Sequence, residues 1–282
     1  MMAYFLNNAP LQDWQGNFEV QLLVTLSAAV AVESFANPRI NLNQFFTNFS
    51  NTYGELHGPR RPGDDDNYPI DCLKLSNLAK IGEYFRNPEQ YLSNIVSAYQ
   101  ELRDATPTVR QRMNRWTESL VLAGVPLQSY PVTKQLMVFK ALLGVSNSLS
   151  LLLNTILRIY SPSDTLIEDL ELYTNEIIQL ANDTSQYRPL GSGYMPICIG
   201  IAWAATSGTP KQVEVGRVLA DWQTDFENIR WLETAAWLEQ RFEVLRLSVS
   251  APRPRHKVDR WMRIDQFRES GDTSAPSSCV LL

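Results

Sequence analysis

RPLGSGYMPICIGIAWAATSGTPKQVEVGRVLADWQTDFENIRWLETAAWLEQR, residues 188–241, decides the fold. A glycine- and proline-bearing junction opens it. An almost uncharged run of small and apolar residues follows over 193–206. Thr209-Pro210 then starts a segment whose apolar residues Val215, Val218, Leu219, Trp222 and Phe226 fall three or four apart. A third segment over 229–247 repeats the habit with Trp231, Leu232, Ala235, Leu238, Phe242 and Leu245. That spacing lays one stripe along a helix, and no stretch alternates with the period of a strand. Trp203, Trp222, Trp231 and Trp237 sit at helical spacing, which makes them core residues first. As a group they are also the candidate lining of an apolar ligand pocket.

The same pattern extends toward the N-terminus. Residues 164–180 carry Leu166, Leu170, Tyr173, Ile177 and Leu180 on one stripe, with Glu168, Asp169, Glu171 and Glu176 off it. An acidic, solvated outer face is expected there. Ser161 as N-cap, Pro162 in the first position and Asp164 in the first turn make a strong helix start. Before it, residues 141–157 hold no charge, yet serines and asparagines punctuate them. They fall short of the roughly 20 apolar residues that span a bilayer, so they read as the buried central helix, opened by Pro131. Tyr91, Leu92, Ile95, Tyr99 and Leu102 mark another helix, and Thr106-Pro107 is expected to break it and restart the pattern through Met113, Trp116 and Leu120. Gly124-Val125-Pro126 ends that run. Nearer the N-terminus, residues 17–35, 41–53 and 70–85 read as further helices, with a solvated loop at 57–69.

The expected fold is all-α: a single multi-helix globular domain over residues 1–250. A flexible basic C-terminal tail follows over 251–282. With a net charge of −5 in 282 residues, the chain lacks the cationic excess of a nucleic-acid binder. Cys72, Cys198 and Cys279 are too far apart in sequence for a zinc pattern, and an odd, sparse set suits a reducing compartment.

Few residues invite chemistry. Asp64, Asp65 and Asp66 resemble the magnesium-binding motif of class I terpene synthases. They follow Arg60-Arg61-Pro62-Gly63 in a loop, whereas that motif belongs on a helix facing a cavity. Asn182-Asp183-Thr184-Ser185 lacks the acid that would complete a second such motif. His57 and His256 have no ligand partner near them in sequence. Cys198 lies in an apolar helix and reads as a buried thiol. Gly191-Ser192-Gly193 precedes a helix, yet neither a lysine nor a strand makes it a phosphate loop. No catalytic residue, metal site or cofactor is assigned. The last four residues, Cys279-Val280-Leu281-Leu282, fit a prenylation box ending in leucine, with Arg253, Arg255, Lys257, Arg260 and Arg263 upstream. Cys279 is thus a candidate lipidation site and a route to a membrane surface, while the same basic segment also fits a nuclear-import patch.

The segments YRPLGSGYMPICIGIAWAAT and WLETAAWLEQRFEVLRLSV resemble the regulatory region of fungal zinc-binuclear-cluster transcription factors, best over residues 166–247. The resemblance implies an all-α regulatory domain that meets protein partners or a small lipophilic ligand, in the nucleus or cytoplasm, and a link to fungal secondary metabolism. The family's six closely spaced cysteines are not found in these 282 residues, so direct sequence-specific DNA binding is not expected. The alternative is a biosynthetic enzyme, such as a cyclase or isomerase, on the same helical scaffold.

Overall fold

The computed structural model describes residues 75–189, 191–225 and 229–250, with side chains from Lys80 onward. Expectations for residues 1–74, Phe226 and residues 251–282, including Asp64–Asp66, His57, Cys72, His256 and Cys279, fall outside the described residues. Those described are 83% helical, with seven α-helices and no strand. The helices are α1 (Leu75–Arg86), α2 (Leu92–Leu122), α3 (Tyr130–Tyr160), α4 (Asp164–Thr184), α5 (Met195–Ala205), α6 (Pro210–Gln223) and α7 (Trp231–Ser250). A 3-10 turn, Ser185–Tyr187, follows α4.

The uncharged run is the centre. By length and composition α3 could cross a membrane, but its second half is enclosed by protein: Leu143, Gly144 and every residue from Ser146 to Leu157 are buried. It packs against α2, α4, α5 and α7. Pro131 occupies its first turn, where no amide partner is lost. Helix α5 is the second buried rod, apolar on nearly every side, and it meets α3 at Gly144. A Cβ on Gly144 would stand 3.0 Å from the Tyr194 ring and 3.6 Å from the Cys198 sulfur. Helices α6 and α7 close over α5, and the Phe85 and Phe242 rings, 5.4 Å apart, join α1 to α7.

Helices α2, α3 and α4 run antiparallel in sequence, and a ladder of polar side chains joins them. On the lower rung, Tyr99 donates to the Asp169 carboxylate at 2.6 Å, and Asn154 donates to the Tyr99 hydroxyl at 3.2 Å. Asn154 also donates to the Leu166 carbonyl at 2.8 Å, and Arg103 stands 3.6 Å from Asp169. On the upper rung, Arg110 pairs with Glu176, and Asn147 donates to the other oxygen of that carboxylate at 2.9 Å. The steps from Arg103 to Arg110, Asn147 to Asn154 and Asp169 to Glu176 are all seven residues, two turns or about 10 Å.

Three expectations are corrected. The face of α4 is not uniformly solvated: Glu168 and Glu171 are exposed, but Asp169 is 7% exposed and Glu176 is half-buried, each turned onto partners of α2 and α3. Pro107 does not break the chain, and α2 runs through it. The lost amide bond is offset by one continuous buried face of Ile95, Tyr99, Leu102, Thr106 and Val109. Thr106 also returns its hydroxyl to the Leu102 carbonyl at 2.7 Å. The cap of α4 is Ser163, whose oxygen accepts the Leu166 amide. Ser161 is taken up by the end of α3, its amide donating to the Leu157 carbonyl at 2.7 Å.

The Gly191 junction is a packing turn. Its amide donates to the Tyr187 carbonyl at 2.9 Å, and a Cβ would lie 3.0 Å from that oxygen. Beside it, Arg188 clamps the C-terminal end of α6. Its guanidinium lies 4.7 Å over the Trp222 ring, bonds Asp221 at 2.6 Å and pairs with Asp225. The negative end of the helix adds to this attraction.

Asp169→Ala is expected to lower stability by about 2–3 kcal/mol, since it strips a charged acceptor from the buried Tyr99 hydroxyl. Glu171→Ala, two residues away on the exposed side, should change it by less than about 0.5 kcal/mol. Urea unfolding of the two variants checks this, and equal effects would return Asp169 to the solvated face.

Candidate functional site

The seven-residue spacing on α2, α3 and α4 builds a polar centre that sequence patterning missed. Its signal was the pair Asn147 and Asn154 inside the uncharged run 141–157, matched by carboxylates at the same interval on α4. Tyr99 and Asn154 are sealed from solvent, and burial, followed by the Asp169 carboxylate, holds the Tyr99 phenol well above its ordinary range. Burial likewise raises Tyr173 and Tyr194. Arg158 extends the lower rung, donating to the Asn154 side-chain oxygen and to the Ala205 carbonyl, both at 2.9 Å. It thereby ties the ladder to the C-terminal end of α5. The bonds of the ladder run chiefly from one helix to another and so set helix register, while the Asn147 side-chain oxygen and the Tyr194 hydroxyl are buried without a hydrogen-bond partner.

Cys198 is buried against Gly144 and Ser148, and desolvation pushes its thiol up to about 12. At neutral pH it is a thiol and a packing group, not a nucleophile. Among the described residues no three His, Cys, Asp or Glu side chains converge as metal ligands. Asp183, from the 182–185 motif, is exposed near the end of α4 and reaches Lys140 at 3.9 Å.

The four tryptophans separate. Trp222 is buried beneath Arg188. Trp203 lies against Gly216, where a Cβ would come within 3.1 Å of the indole nitrogen. Trp231 and Trp237 share one cleft between α5 and α7, of about 60 Å³. The α5 wall is Pro196, Ile197, Gly200 and Ile201, and buried Leu152 of α3 also lines it. The i, i+4 repetition on α5 puts a residue without a side chain, Gly200, opposite Ala235 of α7. A Cβ there would lie 3.5 Å from that of Ala235. None of the lining side chains titrates. The Trp231 amide donates to the Gln223 side chain at 2.7 Å, anchoring the start of α7 to the end of α6. The Arg241 guanidinium lies 5.9 Å from the Trp237 ring centroid.

A broader groove of about 620 Å³ lies between α7 and the turn after α1. Arg86, Glu89, Tyr160 and Arg241 line it together with Phe85 and Leu245. Desolvation, then the nearby Arg86 charge, lowers Arg241. The groove is open and carries charges of both signs.

No family model, no curated protein and no solved structure matches this chain.

Tyr99, Tyr173 and Tyr194 all hold their protons more tightly in the folded state than the free phenol does. The stability they contribute is complete below pH of about 10 and is lost as pH climbs from there toward the folded values. Thermal melts between neutral and strongly alkaline pH should show a midpoint that falls steeply only above about pH 10. A midpoint that stays flat there would count against these buried phenols. In a Cys72→Ser, Cys279→Ser background, Cys198 should resist iodoacetamide until the chain is unfolded by urea. Rapid labelling of the native protein would contradict its burial.

Proposed function

We propose that this protein is a helical regulatory domain that binds an apolar group, with the Trp231–Trp237 cleft as its seat. The observation that supports the reading is the division of labour inside the bundle. The hydrogen-bonded side chains between α2, α3 and α4 hold helices together, while the cleft is mostly apolar and free of titratable side chains. Such a wall favours burial of hydrocarbon without supplying an acid, base or nucleophile. At about 60 Å³ the cleft takes one short alkyl chain or ring edge, the end of a small lipophilic ligand. The resemblance of residues 166–247 to the regulatory region of fungal zinc-binuclear-cluster factors points the same way. Under this reading, ligand occupancy sets which protein partner the domain meets, and the downstream effect is on transcription of secondary-metabolism genes.

Gly200 supplies the test. Its Cβ position is in ordinary contact distance of Ala235, so Gly200→Ala should fold and gain up to about 1 kcal/mol of helix stability. The added methyl narrows the cleft. Binding of a short-chain fatty alcohol, followed by calorimetry, should weaken about tenfold in Gly200→Ala and in Trp237→Ala. Undiminished binding in both variants would remove the cleft as the seat. Deleting the gene should alter transcripts of neighbouring pathway genes. Unchanged transcripts with a lost metabolite would instead favour a biosynthetic enzyme.

A further inference from the structure

The α2–α3 hairpin extends beyond the rest of the described bundle. Lys140 bonds the Asp183 carbonyl at the end of α4, and Gly144 faces Tyr194 and Cys198. From Lys140 to Tyr130 the helix runs on for about 15 Å, held to α2 by the Trp116–Phe139 ring contact at 5.8 Å. The turn at its end is built by sequence. Gly124 takes φ +69°, and the Gly124 and Val125 amides return to the Val121 and Leu120 carbonyls at 3.0 and 2.9 Å. This is the Schellman arrangement that only glycine makes without strain.

From Ser119 to Thr133 the hairpin has no charged residue. Yet its apolar side chains are presented to solvent: Leu122 is 89% exposed, Tyr130 80% and Val121 59%. Just behind them the charge is of one sign. Residues 110–140 contain Arg110, Arg112, Arg115, Lys134 and Lys140 against a single carboxylate, Glu118. That arm is +4, and subtracting it from the chain's −5 leaves −9 for everything else. Arg110 pairs with Glu176 and Lys140 with Asp183, so Arg115 and Lys134 are the exposed cations nearest the tip. By helix rise they stand about 6–10 Å behind Tyr130 and Leu122.

We propose that this tip docks on an anionic lipid bilayer, with Val121, Leu122 and Tyr130 entering the interface and Arg115 and Lys134 at the headgroups. The offset between apolar end and cations matches the depth, about 5–10 Å, to which interfacial elements sink. Tyrosine suits that level because its ring is apolar and its hydroxyl stays wet. A convex apolar end fits a fluid surface that conforms to it. A second copy of the chain is the poorer occupant, since two tips meeting would bring Arg115 and Lys134 of both copies together. The proposal is independent of the Trp231–Trp237 cleft.

The test uses the full chain carrying Cys279→Ser, so that lipidation plays no part, in co-sedimentation with phosphatidylcholine vesicles with and without phosphatidylserine. Binding is expected only to the anionic vesicles and should fall as salt rises. Leu122→Asp and the milder Tyr130→Ser should each weaken it, the former by about tenfold. Arg115→Gln or Lys134→Gln should cost about fivefold apiece. Because the altered side chains are exposed, circular dichroism and melting temperature should match the parent. Three results would overturn the proposal: equal binding to neutral vesicles, or tip variants that bind like the parent, which would place the binding in the basic tail. The third is a parent dimer that Leu122→Asp dissociates, with no vesicle binding.

Discussion

The bundle depends on a polar constraint: Asn147 and Asn154, two turns apart on the most buried helix, must each find a partner. An asparagine sealed among leucines costs several kcal/mol unless its amide is bonded. Here Asn147 donates to Glu176 of α4, and Asn154 donates to the Leu166 carbonyl of α4 and the Tyr99 hydroxyl of α2, while Arg110 and Asp169 complete the two rungs. Because both rungs share one spacing, they are satisfied together or broken together. Sliding α4 by one turn against α3 would leave both carboxylates without their donors. Apolar packing alone would tolerate that slide far better, since one leucine replaces another at little cost. The ladder therefore selects one register from several that the hydrophobic stripes allow.

With register set, the rest is a matter of size. Gly144 lets Tyr194 and Cys198 approach α3, and α5, apolar on nearly every side, fills the space between α3 and the α6–α7 cover. Gly200 leaves on the far side of α5 the gap that becomes the Trp231–Trp237 cleft. The arrangement separates two kinds of buried surface. Charged and amide side chains are concentrated between α2, α3 and α4, and a mostly apolar lining without titratable groups lies between α5 and α7.

Much of this was legible from residues alone. Spacing by three and four gave the helices, the absence of charge over 141–157 gave the central one, and Gly124 gave the hairpin turn. The errors share a cause. Amphipathic reasoning assigns every carboxylate to water, so it placed Asp169 and Glu176 outside, although asparagines at the same interval on α3 held the contrary signal. The proline rule gave way at Pro107 because a long buried face outweighs one lost amide bond, and the cap moved from Ser161 to Ser163 because Ser161 closes the end of α3. The tryptophans could not be sorted by spacing: Trp222 and Trp231 both lie on apolar stripes. What separates them is the neighbour, Arg188 in one case and Gly200 in the other.

The contact between Phe85 and Phe242 has a consequence for the order of folding. The ladder joins residues 12 to 70 positions apart, whereas these two rings are 157 positions apart. Loop closure costs more as the separation grows, so the antiparallel trio of α2, α3 and α4 can condense before α7 returns to α1. Amides of α3 then belong to the last unit to open, and those of α1 and α7 to the first. The cleft, being formed by α7, is assembled late and sits in the part of the molecule that breathes most readily.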